Sequence, residues 1–215
     1  MPAEVKICGL TRAVDAECAD AAGASYLGVI FAGGPRERTP AEARATLSGR
    51  RARKVGVFGG QSAGEIAGIA TLVGLDVLQL HGASDPARIA AVRAATGLEV
   101  WAVVRTATGV LSIADEELAD AADALLIDAL VPGQLGGRGV TLPWLALGES
   151  LDAMASGHRI VLAGGLTAGN VGEAIDYVSP MVVDVSSGVE SSPGIKDQTL
   201  VRVFIAAARA RGARE

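Results

Sequence analysis

The chain has 215 residues, half of them hydrophobic but only 3% aromatic, with 19 Lys and Arg set against 24 Asp and Glu. A net charge of −5, with basic residues scattered rather than interleaved with aromatics, argues against nucleic acid as the main partner. The longest apolar uncharged run, Ala21 to Pro35, is broken by glycines and falls short of the roughly 18–20 residues a membrane span needs, so no membrane association is expected.

The opening Met-Pro-Ala-Glu-Val-Lys runs straight into a strand, without the apolar core of a secretory signal. The first predicted strand is Val5–Cys8, and a helix near residues 13–22 follows, with an apolar stripe of Val14, Cys18, Ala21 and Ala22. Cys18 reads as a small buried hydrophobe. A strand end and a mid-helix position are poor partners for a disulfide, so Cys8 and Cys18 point to a reducing, cytoplasmic setting. Strands at Tyr26–Phe31, Lys54–Phe58 and Val77–Leu80 alternate with helices near 40–48, 63–73 and 85–96. Ser62 or Ala63 before Glu65, and Ser84-Asp85-Pro86, read as helix starts. The second half repeats the pattern: strands Val100–Arg105, Ala124–Asp128, Ile160–Ala163 and Met181–Ser186, helices near 112–121, 142–155, 169–178 and 197–211, the last opened by Asp197.

Eight strands and eight helices in strict alternation imply a parallel sheet. The strands are apolar on both faces, as strands covered on both sides should be. Eight equal units in so short a chain favour closure over an open doubly wound sheet, because a barrel leaves no exposed edge. The expected architecture is therefore one (βα)8 TIM barrel spanning residues 1–215. Its Val, Ile, Leu and Ala content suits a layered barrel interior.

In such a barrel the chemistry sits at the C-terminal ends of the strands. That rule selects Cys8, Arg36, Phe58-Gly59, Gln79, His81, Arg105, Asp128, Gly164-Gly165 and Ser186-Ser187-Gly188. The turns after strands seven and eight, Ala163-Gly164-Gly165-Leu166 and Ser186-Ser187-Gly188-Val189, carry small residues that let backbone N–H groups approach an anion, and this is where barrels often bind phosphate. A further glycine-rich segment, Gly133-Gln134-Leu135-Gly136-Gly137-Arg138-Gly139, suits a loop that folds over the phosphate end, with Gly137 as a contact. Cys8 is left uncovered by Gly9 and can act as a base if nearby charge lowers its pKa. Asp128 closes an apolar strand, where burial would raise its pKa and make it a proton donor. Asp184 lies within strand eight and either orients substrate or pairs with a cation. Arg36 can grip a carboxylate in bidentate fashion, with Arg38 as a rival, and His81 can hydrogen-bond substrate. His158 precedes strand seven, at the opposite end, and has no assigned role. No metal-ligand spacing and no dinucleotide fingerprint is present, so neither metal nor cofactor is expected.

Several segments, in order from end to end, together resemble the phosphoribosylanthranilate isomerase family of tryptophan biosynthesis. They are Lys6-Ile7-Cys8-Gly9-Leu10-Thr11, Val55-Gly56-Val57-Phe58, Leu78-Gln79-Leu80-His81-Gly82, Leu126-Ile127-Asp128, Gly164-Gly165-Leu166, Val183 through Glu190 and Pro193-Gly194-Ile195-Lys196-Asp197. The resemblance implies a cofactor-free Amadori rearrangement of N-(5′-phosphoribosyl)anthranilate, with Asp128 as general acid and Cys8 as general base. It further implies that Arg36 holds the anthranilate carboxylate and that backbone groups near Gly165 and Ser187 hold the phosphate. The chain departs from the family pattern at Arg36-Glu37-Arg38-Thr39, at Arg138 and at Trp101-Ala102. A related isomerase of histidine biosynthesis and a non-catalytic sugar-phosphate binder are the alternatives. Monomer and homodimer are both open.

Overall fold

The computed structural model describes residues 2–82, 85–129, 143–154 and 157–211. Its elements run β1 (Glu4–Ile7), α1 (Ala13–Ala22), β2 (Tyr26–Ile30), α2 (Pro40–Leu47), β3 (Arg53–Phe58), α3 (Ala63–Val73), β4 (Val77–Leu80), α4 (Pro86–Thr96), β5 (Glu99–Thr106) and α5 (Ile113–Ala121). They continue with β6 (Ala124–Ala129), α6 (Trp144–Ala153), β7 (Ile160–Leu162), α7 (Val171–Val178), β8 (Val182–Val185), a 3₁₀ turn at Ser187–Val189, a small hairpin of β9 (Glu190–Ser192) and β10 (Ile195–Lys196), and α8 (Gln198–Arg211). Strands β1 to β8 pair in sequence order into a closed parallel barrel, and β8 returns to β1 with Glu4 opposite Val182 and Ile7 opposite Val185. The expected TIM barrel is the observed architecture.

Local chemistry sets the helix starts. Ser62 and Glu65 form a reciprocal capping box at α3, Asp85 accepts from the Arg88 N–H at α4, and Asp197 accepts from the amides of Thr199 and Leu200 at α8. Thr39–Glu42 and Ser112–Asp115 form two more boxes that the sequence reading did not name. The hairpin β9–β10 was also unread. Its strands are too short for periodicity, and only the Ser-Pro-Gly turn marks it.

Side chains alternate across each strand. Val5, Ile7, Leu78, Leu80, Val183 and Val185 face outward into the shell shared with the helices. Tyr26, Val55, Val77, Trp101, Leu126, Val161 and Val182 form a separate apolar cluster. Their positions alternate with the outward set, which puts this cluster inside the barrel. The expected stripe of α1 is displaced: Val14 is half exposed, while Asp15, Ala16, Cys18 and Ala19 are buried. Asp15 tolerates burial because Arg12 donates to both of its oxygens at 2.7 Å and the Lys196 amide adds a third bond at 3.2 Å.

The interior is not apolar throughout. At the N-terminal end Glu99 accepts from Trp101 Nε1 (2.7 Å), Arg53 (2.7 Å) and Arg159 (2.8 Å), while Tyr26 donates to Glu4 and packs edge-to-face on Trp101. This polar plug closes the floor. Burial opposes the charge on Glu99, yet the bonds from Trp101 and Arg53 and the charges of Arg159 and Arg53 outweigh it and hold the carboxyl below its usual range. A carboxyl depressed on folding contributes stability above its unfolded pKa of about 4.3, and that contribution is lost as pH falls through the lower folded value. Glu99→Gln should therefore be less stable than the parent at neutral pH, with the difference shrinking on acidification. Urea midpoints measured from pH 7 to 3 check this, and a difference independent of pH would contradict it.

Candidate active site

At the other end of the barrel the inward positions are polar. The register pairs Lys6 with Asp184, and the fully buried Lys6 ammonium donates to Asp184 Oδ2 at 2.6 Å and to Gln79 Oε1 at 2.9 Å. Burial disfavours the Lys6 charge, but Asp184 outweighs that cost and holds the ammonium above its ordinary pKa. The other Asp184 oxygen, Oδ1, is buried without a hydrogen-bond partner among the described residues. An unsatisfied carboxylate oxygen in this position is able to accept a hydroxyl.

Cys8 stands one residue beyond β1 and its amide donates to Val185 of β8. The thiol points inward at Gly28: a Cβ built there would lie 2.9 Å from Cys8 Sγ and 3.2 Å from Lys6 Cε. Glycine at 28 therefore makes the room that the thiol and the lysine stem share. Burial pushes the Cys8 pKa up; Lys6 and Lys196 pull it down and Asp184 pushes it up. Across the mouth, Asp128 sits near the end of β6, with Arg105 Nε 3.9 Å from its Oδ2. Burial raises the Asp128 pKa against the opposing pull of His81 and Arg105. His81 is lowered by burial, against the pull of Asp128, so the neutral imidazole is favoured at pH 7. Cys8 and Asp128 both feel the charges of Lys6 and Asp184, which places them around one mouth.

The turns after β7 and β8 are pressed together. Gly164 and Gly165 both have left-handed backbone (φ 92° and 62°), and Asn170 ties the turn by donating to the Gly165 carbonyl while accepting from the Thr167 amide. Any side chain at Gly188 would collide with the Leu166 carbonyl, so the β8 turn reaches this close only with glycine there. Ser186 precedes the 3₁₀ turn, and Ser187 and Gly188 lie within it. Two adjoining turns of small residues are the kind of place where backbone amides can approach an oxyanion of phosphate type.

Arg36 reaches back over Gly9, where a Cβ would lie 2.6 Å from its Cδ. Its Nε and one terminal nitrogen bond Glu190 at 2.8 and 2.6 Å. The arginine is thus already in a bidentate pair, which leaves its remaining terminal nitrogen for any ligand. Among the described residues no three His, Cys, Asp or Glu side chains gather as a metal ligand set, and no helix is long and apolar enough to cross a membrane.

A family model described as N-(5′-phosphoribosyl)anthranilate (PRA) isomerase matches residues 5–207. The chain belongs to that family. A phosphoribosylanthranilate isomerase from Paracoccus denitrificans is 42% identical over 228 aligned residues, covering 98% of this chain and 99% of its own. One from Rhodospirillum centenum is 38% identical, covering 98% and 100%. Among solved structures, the isomerase of Thermotoga maritima superposes with a TM-score of 0.84 at 32% identity, covering 97% of this chain and 99% of that one. A family member in complex with reduced 1-(o-carboxyphenylamino)-1-deoxyribulose 5-phosphate gives 0.81 at 29%, with the same coverage. A 3-hexulose-6-phosphate synthase of Salmonella typhimurium, 17% identical with a TM-score of 0.72, shares the fold alone.

The barrel gathers Cys8, His81, Asp128 and Asp184 at one mouth and sets Arg36 beside it over Gly9, with Gly164, Gly165, Ser186, Ser187 and Gly188 in the paired turns. Gly137 and Arg138 lie outside the described residues. Sequence reasoning missed the ion-pair partners: Lys6 for Asp184, and Glu190 for both Arg36 and Lys196. The Lys6–Asp184 pair lies 178 residues apart in sequence, and the signal that could have found it was the shared inward parity of Lys6 and Asp184 on the two strands that close the barrel. Lys6→Met should cost about 3–5 kcal/mol, because it leaves the Asp184 carboxylate buried and uncompensated. The double variant with Asp184→Leu should recover most of that loss. Denaturant unfolding of the three variants checks this; additive losses would show that the pair does not couple.

Proposed function

We propose that this chain catalyses the Amadori rearrangement of N-(5′-phosphoribosyl)anthranilate to 1-(2-carboxyphenylamino)-1-deoxyribulose 5-phosphate, the isomerase step of tryptophan biosynthesis. The supporting observation is a thiol and a carboxyl from well-separated strand ends around one barrel mouth, Cys8 beyond β1 and Asp128 on β6, beside the small-residue turns after β7 and β8. Membership of the isomerase family supplies the substrate.

Asp128 acts as the general acid. It gives its proton to the furanose ring oxygen as the C1′–O4′ bond breaks, and the anthranilate nitrogen supplies the electron pair that makes the Schiff base. Cys8, as thiolate, then removes the C2′ proton and leaves an enolamine. The enolamine loses its hydroxyl proton and is protonated at C1′ to give the ketone, so the sugar is rearranged without net oxidation. Backbone groups at Gly164, Gly165, Ser186, Ser187 and Gly188 hold the phosphate. The remaining Arg36 nitrogen holds the anthranilate carboxylate, Asp184 Oδ1 accepts a ribose hydroxyl, and neutral His81 hydrogen-bonds the sugar beside Asp128.

The chemistry needs a carboxyl that keeps its proton after the thiol has lost its own. Burial of Asp128 favours this and burial of Cys8 opposes it. Turnover followed by the loss of substrate anthranilate fluorescence tests the assignment. Cys8→Ala and Asp128→Asn should each lower kcat by about two to four orders of magnitude with the fold retained. Near-parental rates in either would remove that residue from its role. The pH profile separates the two. In the parent, kcat/KM should rise as Cys8 ionises and fall at alkaline pH as Asp128 loses its proton. In Asp128→Asn the residual activity should instead rise with pH and level off once Cys8 has ionised. An alkaline decline that survives in Asp128→Asn would assign that limb to another group.

A further inference from the structure

The hairpin β9–β10 is absorbed by neither the barrel core nor the reaction above, yet it carries a buried charge to the base. Lys196 is fully buried as a side chain. Its ammonium donates to Glu190 at 2.8 Å, to the Ser186 carbonyl at 3.0 Å and to Ser186 Oγ at 3.4 Å. Ser186 adjoins Cys8 across the closing seam, because Ile7 pairs with Val185 and the Cys8 amide donates to the Val185 carbonyl. The Ser186 hydroxyl lies 2.8 Å from the point where a Gly9 Cβ would stand. The ammonium is thus fixed on Ser186, on the strand end beside Cys8, and its charge acts on the thiol. The hairpin itself is anchored on both sides: the Lys196 amide donates to buried Asp15, Arg12 donates to the Lys196 carbonyl, and Thr11 Oγ1 donates to the Gly194 carbonyl.

We infer that Lys196 is a positioning residue for the proposed base: its ammonium supplies positive charge against which the Cys8 thiolate forms, and Glu190 and Ser186 hold it there. The inference rests on Cys8 being the base. The charged groups facing the thiol are Lys6 on β1, Asp184 on β8, Arg36 from the loop after β2 and Lys196 on β10. Lys6 is bonded directly to Asp184, and Asp184 opposes the thiolate as Lys6 favours it. Arg36 is turned into Glu190. Lys196 is the cation bound to the Ser186 turn next to the thiol, and a neutral side chain there would leave burial less opposed.

The test reads the thiol directly and activity separately. With Cys18→Ser in the background, Cys8 is the sole cysteine, and its alkylation by iodoacetamide is followed from pH 6 to 11. Lys196→Gln keeps a hydrogen-bond donor for Ser186 and drops the charge. It should move the midpoint of alkylation up by about one pH unit and slow alkylation at pH 7 about tenfold, with kcat/KM near neutrality falling in proportion and recovering at higher pH. Lys196→Arg keeps the charge and should leave the midpoint at or below that of the parent. An unchanged midpoint in Lys196→Gln, or a midpoint raised equally in Lys196→Arg, overturns the inference. A raised midpoint without loss of activity supports the charge coupling and instead removes Cys8 as the base. Should Lys196→Gln fail to fold, Lys196→Met is read in its place, and an unchanged midpoint there overturns the inference in the same way.

Discussion

Closure of the barrel between β8 and β1 is the constraint on which the site depends. The first and last strands of the barrel share no local sequence relation, yet their pairing sets Lys6 against Asp184 and brings Cys8 alongside Ser186. Without that seam the proposed base, its cations and the turn after β8 would belong to separate ends of the molecule. The closing ladder is short, four residue pairs, so its strength comes from what it buries. Outward, Val5, Ile7, Val183 and Val185 enter the shell under the helices. Inward, a lysine and an aspartate desolvate one another. A buried ion pair is weak evidence for net stability but a strong selector of register, since a slip of one residue would bury each charge alone.

Much of the fold was legible because its signal is periodic and local. Alternation of short β-branched runs with amphipathic stretches located all eight strands and all eight helices, with most ends displaced by one or two residues. Cys8 and Asp128 were legible for a different reason: once a barrel is assumed, its C-terminal mouth is a short list, and a thiol and a carboxyl that close apolar strands have no packing role. The family resemblance then turned positions into a reaction. What stayed hidden was pairwise. Asp15 reads as a solvated helix residue until Arg12 and the Lys196 amide are seen to satisfy it. Arg36 reads as a free guanidinium until Glu190, 154 residues later, takes two of its nitrogens. Periodicity carries no information about which distant charges meet.

The glycines of the mouth make a related point. Gly9, Gly28 and Gly188 are all in the region where the sequence promised chemistry, and their reasons differ. Gly9 has a left-handed backbone and lies under the Arg36 stem, Gly28 vacates space for the thiol and Lys6, and Gly188 lets two turns approach through their backbones. Only the last belongs to the proposed phosphate site. The composition of a glycine-rich turn therefore identifies close approach without saying what approaches.

A dry mouth serves the two halves of the reaction unequally. Burial raises the pKa of Asp128, which favours the protonated form of the proposed acid, and it raises that of Cys8, which favours the neutral thiol of the proposed base. A single environment cannot set both groups correctly, so the asymmetry has to come from charge. Its distribution follows that need. The cations that act on Cys8, Lys6 and Lys196, are both fully buried, where a positive charge is least screened. Lys6 also pulls on Asp128, but less than Arg105 does, and Arg105 is half exposed and 3.9 Å away, where solvent weakens its pull on the carboxyl. Lys196 pulls on the thiol and the solvated Arg105 on the carboxyl, an asymmetry in the direction the proposed rearrangement needs. The fold achieves this by drawing lysines from its first strand and its last hairpin to one side of the mouth.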